Sequence, residues 1–329
     1  MQELKIGNRA FNGNIDCFEN LLEISNCMPV DHDLIINLSN LREVNPFNML
    51  LLALSIRQQK TYFDKITFKV PSEKNDGYMQ YMGFYETCGA PSRGISKGSH
   101  RLGKYICIKE INISPSGSIG VDYEAMETEA EKLADMFQFD KKLRRYITYC
   151  FFEMIRNVYE HSGTYSVYVC AQYWPSHCLM EIAIADEGCG IKKAMEKRFM
   201  GFSERKLMEY AMAPGISALS NHQFLGKDDY YGNSGYGLFM TKELALSYGG
   251  SFILCSGNYG VRYHYNDYIV QQDFYNTKFK GTGIAIRFCT ESFNDFEVIR
   301  KNIVAKAERE SKNYKGAIHK ASRSSGGAK

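Results

Sequence analysis

EMIRNVYEH, residues 153–161, sets a glutamate, an asparagine and a histidine four positions apart. In a helix that spacing brings Glu153, Asn157 and His161 onto one face. Phe151, Phe152, Met154, Ile155 and Val158 supply an apolar face beside it, so the segment reads as an amphipathic helix. Such a polar ridge is ordinarily solvated. Two glycine-containing stretches downstream change its meaning: DEGCGI at 186–191, which ends an apolar strand, and GNSGYGLF at 232–239, which opens a helix.

Outward from this centre the chain alternates helix-like and strand-like segments, which predicts an α/β protein. Residues 122–162 read as two helices broken near Phe139–Asp140. YSVYVCAQYW and HCLMEIAIAD read as a strand hairpin across a Pro-Ser turn, and TKELALSYGG as a helix closed by glycine. SFILCSG and GTGIAIRF are further strands. Toward the N-terminus DLIINLSNL reads as a buried strand, followed by a helix with Asn45 at the N-cap and Pro46 at the first helical position. KITFKV is another strand, 76–88 a short helix, 92–103 a loop, and KYICIKEINI a strand. SPSGSIG is a turn or linker, so a domain boundary is expected there.

The 329 residues suit two modest domains, and 44% apolar with 23% charged residues is the balance of a soluble protein with a real core. A net charge of +3 is too small to name nucleic acid or membrane as a partner. From Arg300 to Lys329 there are nine Lys or Arg against two Glu, so the remainder is slightly acidic. This basic end allows contact with acidic partners, nucleic acid included, although charged termini are more often simply solvated. The ten cysteines form no CxxC pair and no zinc-spaced cluster. The start, MQELKIGNRA, has no apolar leader, and the apolar run Phe47–Ile56 is too short for a bilayer, so a cytoplasmic protein with no membrane contact is expected.

Read together, the ridge, the DEGCGI turn and the GYGLF helix start resemble the GHKL superfamily of ATPases and kinases, over roughly residues 125–290. The resemblance implies a two-layer α/β sandwich of Bergerat type with a mixed sheet, binding ATP and Mg²⁺. It implies that Asp186 accepts the adenine amine, a task suited to a fixed carboxylate at a strand end. Gly188 and Gly190, with Ile191, would let the backbone turn close to the base. Gly232, Gly235, Tyr236, Gly237 and Leu238 would wrap the phosphates at a helix N-terminus, where N–H groups are ready donors. The Asn157 amide oxygen is the implied Mg²⁺ ligand. His161 matches a position near the phosphates and reads equally as a structural helix residue. Glu153 is the implied catalytic residue, orienting water for attack on the γ-phosphate. Residues 192–234 match a lid, with Phe199, Phe202 and Tyr230–Tyr231 as packing candidates.

One departure is Glu160, three residues after Asn157, where kinase-type members carry Lys or Arg; it should point away from phosphate. The first residues resemble a STAS domain, but the aligned acceptor positions Asn45, Pro46 and Phe47 have no hydroxyl. A docking or scaffold role follows. The expected organisation is a STAS-like unit at 1–115, a linker at 116–120, an ATP-binding domain at 121–310 and a basic flexible tail at 311–329. The expected function is a slow, Mg²⁺-dependent ATPase acting as a nucleotide-controlled switch toward a protein partner or a second copy. A protein kinase and a non-catalytic ATP-binding module are the alternatives.

Overall fold

The computed structural model describes residues 2–7, 16–90, 104–113, 122–218, 234–266, 269–291 and 296–322. In chain order the front elements are β1 (Gln2–Gly7), α1 (Asp16–Ser25), β2 (Asp33–Asn40), α2 (Pro46–Gln59), β3 (Lys65–Lys69), α3 (Glu73–Tyr81) and α4 (Phe84–Thr87). Then come β4 (Tyr105–Asn112), α5 (Tyr123–Asp135), α6 (Lys141–His161), β5 (Ser166–Trp174) and β6 (Leu179–Asp186). The rest is α7 (Gly190–Met195), α8 (Glu204–Ala211), α9 (Gly237–Ser247), β7 (Ser251–Asn266), β8 (Ile269–Cys289) and α10 (Phe296–Glu310).

Two sheets result. β1, β2 and β3 form a parallel sheet in that order, and β4-β5-β6-β8-β7 form a second. Every pairing in the second sheet is antiparallel, which corrects the expected mixed sheet. The reason is topological: β8 inserts between β6 and β7, so these two, which run the same way, are not neighbours. β4, within the expected front unit of 1–115, pairs with β5 in this second sheet, while its Ile108 N–H also donates to the Met82 carbonyl at 2.8 Å. The expected linker, 116–120, lies outside the described residues.

Side-chain size decides what packs on each face of the large sheet. Successive residues of a strand point to opposite faces. On β6 and β8 the large residues Ile182, Ile184, Ile284 and Ile286 join the core built with α5, α6 and α9. The alternate positions are small, with Ala183 opposite Ala285 and Ala185 opposite Gly283. That shallow strip admits α2: a Cβ on Gly283 would lie 2.5 Å from the Leu51 side chain. Helix α2 is apolar on all sides, and Leu50, Leu51, Leu52, Leu54 and Ile56 are buried in one core with β2 and the rear face of the large sheet. Each such side chain contributes roughly 1.5–3 kcal/mol. The front unit is therefore packed against the large sheet, not strung from it.

Polar groups orient this contact. Asn45 caps α2 by accepting the Asn48 N–H at 2.9 Å. Glu181, fully buried, accepts the Phe47 N–H at 3.0 Å and the Arg287 Nε–H at 2.9 Å. A carboxylate at a helix N-terminus is favourable, and Arg287 neutralises what burial would otherwise penalise. At the other end of α2, Arg57 pairs with Glu187 and donates to the Tyr168 hydroxyl at 2.7 Å. Gln58 reaches the same Glu187 at 3.0 Å.

Residues 311–322, expected to begin a flexible tail, are folded: a 3-10 turn at Ser311–Asn313 follows α10, and Ser311 and Ala317 are buried. Apolar residues among the lysines, Tyr314 and Ala317 in particular, give this stretch something to bury. No helix among the described residues is long and apolar enough to cross a membrane.

Candidate functional site

Helix α6 begins at Asp140, whose carboxylate accepts the N–H of Lys142 and Leu143 at 2.8 and 3.0 Å. Its apolar side, including Ile147, Phe151, Met154 and Ile155, is buried in the main core, which fixes the rotation of the helix. The same rotation aims Asn157 and His161 into a cavity. Strand β6 ends at the rim of that cavity because Asp186, two residues beyond Ile184, shares its face. Gly190, Ile191, Gly235, Gly237 and Leu238 line the same space. Eight expected site residues from three separate segments thus meet around one cavity. Gly232 lies outside the described residues, as do Tyr230 and Tyr231.

Asp186 is almost fully buried, and its carboxylate accepts the Gly188 N–H at 2.7 Å. It therefore caps its own turn as well as facing the cavity. Burial pushes its pKa up to about 7, against the pull of the Gly188 and Thr282 N–H groups. The turn is clamped onto the end of α6, since the Cys189 N–H donates to the Ser162 carbonyl at 2.7 Å. Gly190 has φ +74°, and a Cβ there would lie 3.2 Å from the Gly281 carbonyl and 2.9 Å from Ser256 Oγ. Only glycine suits that position. Ser256 fastens the two sides, accepting the Ile191 N–H at 3.0 Å and donating to Gly281 at 2.8 Å.

Glu153 lies behind the cavity wall. It has no exposed surface, does not line the cavity, and accepts from Arg156 Nη2 at 2.7 Å. Arg156, three residues on, takes up the carboxylate, and Gly237, from a distant segment, closes over it so tightly that a Cβ there would be 2.4 Å from Glu153 Oε2. Burial lowers the Arg156 pKa, but the carboxylates of Glu153 and Glu160 outweigh it and hold the guanidinium above its ordinary value. Glu160 accepts from the Tyr123 hydroxyl at 2.9 Å on α5. Gly188 and Tyr236 also lie behind the lining, and Tyr236 is fully buried.

The chain matches no family model and no curated protein. The case for any ligand is carried by this geometry. Helix α9 points its N-terminus at the cavity through Gly237, an arrangement that favours an anion. The Asn157 Nδ2, buried, has no hydrogen-bond partner. An unsatisfied buried amide is costly unless a ligand or water completes it. Among the described residues no group of three His, Cys, Asp or Glu side chains is placed to hold a metal. A cation here would rest on Asn157 and on oxygens brought by a ligand, the pattern Mg²⁺ tolerates.

Sequence reading missed Arg156 and Thr282, both of which line the cavity. Arg156, three residues after Glu153, adjoins the same face of α6. Thr282, the register partner of Asp186, sits in the GTG that opens the last apolar strand segment. Within the expected lid, 192–218 is built from α7, α8 and a turn carrying Ile216, Ser217 and Ala218, which form one cavity wall. Residues 219–233 lie outside the described residues. Phe199 and Phe202 both pack on Tyr210, with ring centroids 5.4 and 4.9 Å away.

Proposed function

We propose that the chain binds ATP with Mg²⁺ and acts as a nucleotide-controlled switch, in the manner of the GHKL proteins it resembles. One observation carries the reading: a single cavity joins a buried strand-end carboxylate, an amide with an unpartnered nitrogen and the N-terminus of an eleven-residue helix. Asp186 would accept from the exocyclic amine of a purine. Gly237 and the first turn of α9 would meet phosphate oxygens. Asn157 would hold the metal, which supplies positive charge to the phosphates.

Turnover, if Glu153 drives it, is slow, because in this arrangement the carboxylate is committed to Arg156. A water could be oriented by Glu153 only after that ion pair opens. The front unit has a βαβαβ order with a parallel sheet, and the STAS-like reading gives it a docking role. Lack of a hydroxyl at Asn45–Phe47 argues against phosphate being accepted there.

Titration calorimetry with Mg-ATP tests the reading on the intact chain. Binding that disappears in Asp186→Ala, in a variant whose circular dichroism is unchanged, supports it; absence of binding by the wild type ends it. Incubation with γ-labelled ATP then separates the activities. Free phosphate marks an ATPase, label on protein a kinase, and neither a non-catalytic module.

A further inference from the structure

The cavity wall at 213–218 is held from outside by the chain's own C-terminal segment. The Ile318 N–H donates to the Gly215 carbonyl at 2.7 Å, and the Gly215 N–H donates to the Gly235 carbonyl at 3.1 Å. Three segments distant in sequence are thereby laced together. Contact is close enough that a Cβ on Gly215, whose φ is +76°, would lie 2.1 Å from the Ile318 carbonyl oxygen. That same carbonyl accepts from the hydroxyl of buried Tyr236 at 2.9 Å.

Arg198 clasps the arrangement. One guanidinium nitrogen donates to the Ser217 carbonyl at 2.7 Å and another to the Gly316 carbonyl at 2.6 Å. Tyr314 packs edge-on against Tyr210, centroids 5.7 Å apart. Ile216, Ser217 and Gly235, beside these anchor points, line the cavity.

The cavity is partly open to solvent and measures about 90 Å³, whereas sites for drug-sized ligands span roughly 300–1,000 Å³. A nucleotide seated fully in this space gains room if a wall gives way. The sheet strand β6 and helix α6 are core elements; the wall at 213–218 is a turn whose backbone is tied to the C-terminal segment.

We propose that residues 314–322 form a latch, with Arg198 as its clasp, whose docking opposes the widening of the cavity. The inference rests on the nucleotide reading of that cavity. Filling the cavity loosens the latch, and loosening the latch improves filling by the same factor, because coupling between two sites is reciprocal. Arg198 is a positioning residue: it touches two carbonyls and not the ligand space itself.

Hydrogen-exchange mass spectrometry and calorimetry on the full chain test the latch. Mg-ATP should speed exchange in peptides covering 314–322. Arg198→Ala, with the latch loosened, should bind Mg-ATP on the order of tenfold more tightly, and should exchange faster at 213–218 and 314–322 without nucleotide. Arg198→Lys, which keeps the charge but not the two-pronged geometry, should fall between. A chain ending at Glu310 should match or exceed Arg198→Ala; should it fail to fold, the point variants carry the test. If Mg-ATP binds the wild type and Arg198→Ala equally and leaves exchange at 314–322 unchanged, the latch is wrong and the nucleotide reading stands. If Mg-ATP does not bind the wild type, both are wrong.

Discussion

Glu153 and Arg156, one helical turn apart on α6, form an ion pair of 2.7 Å with almost no solvent exposure on either side chain. It anchors the floor beneath Gly237 and keeps the guanidinium charged against its burial. Removing one member of such a pair leaves a buried charge uncompensated. Arg156→Met should therefore lower stability by about 3–5 kcal/mol, read as a drop in the urea midpoint with unchanged m-value.

Asp186 makes stability depend on pH in a stated direction. Below its unfolded value of 3.8 it is protonated in both states, and its burial carries no charge penalty. As pH rises toward 7 the unfolded chain ionises first, so the folded state loses stability on the order of 4 kcal/mol across that window. Asp186→Asn keeps an oxygen for the Gly188 N–H and cannot ionise. Compared by chemical denaturation between pH 4 and pH 8, the wild type should lose stability relative to this variant as pH rises.

Ligand binding should follow the opposite trend. A purine amine donates to the ionised carboxylate, so Mg-ATP affinity in the wild type should rise between pH 6 and pH 8. The slope should centre near 7, where Asp186 titrates. A flat profile measured by calorimetry would remove Asp186 as the purine contact.

Asn157→Ala should weaken Mg-ATP binding by roughly tenfold or more, the scale of one lost hydrogen bond or ligand to a charged group. Binding of ADP without metal should change much less. Equal losses in both titrations would make Asn157 a phosphate contact instead of a metal ligand.

The rear face of the large sheet cannot be left bare. Tyr168, Cys170, Ile253 and Cys255 share the core that α2 fills. A chain begun at residue 104 exposes that face, and size-exclusion chromatography should find it aggregated. A monodisperse product would mean that the front unit is dispensable for folding.

The site was legible where local chemistry dictates local shape. Asn45 and Pro46 marked the start of α2, and the glycines of DEGCGI and GYGLF marked the two turns that meet at the cavity. Periodicity set Asn157 and His161 on one face of α6, and only the downstream glycine stretches gave that face a cavity to line. What escaped depended on partners distant in the chain. The strand pattern of KYICIKEINI does not announce that β4 pairs with β5, far along the chain, as well as touching the front unit. Glu153 looked accessible because nothing in its own helix announces that Gly237 will cover it. The basic C-terminal run hid Ala317, which is buried, and Tyr314, which packs on Tyr210 of α8.

Arg57 and Gln58, at the last turn of α2, both hold Glu187, the neighbour of Asp186. With its flanks pressed on the Ala183–Ala285 strip, α2 ties the front unit to the Asp186 turn through the Glu187 side chain. Any shift of this helix on the strip therefore reaches the Asp186 turn through Glu187. No hinge between the two units is needed for such a signal to arrive.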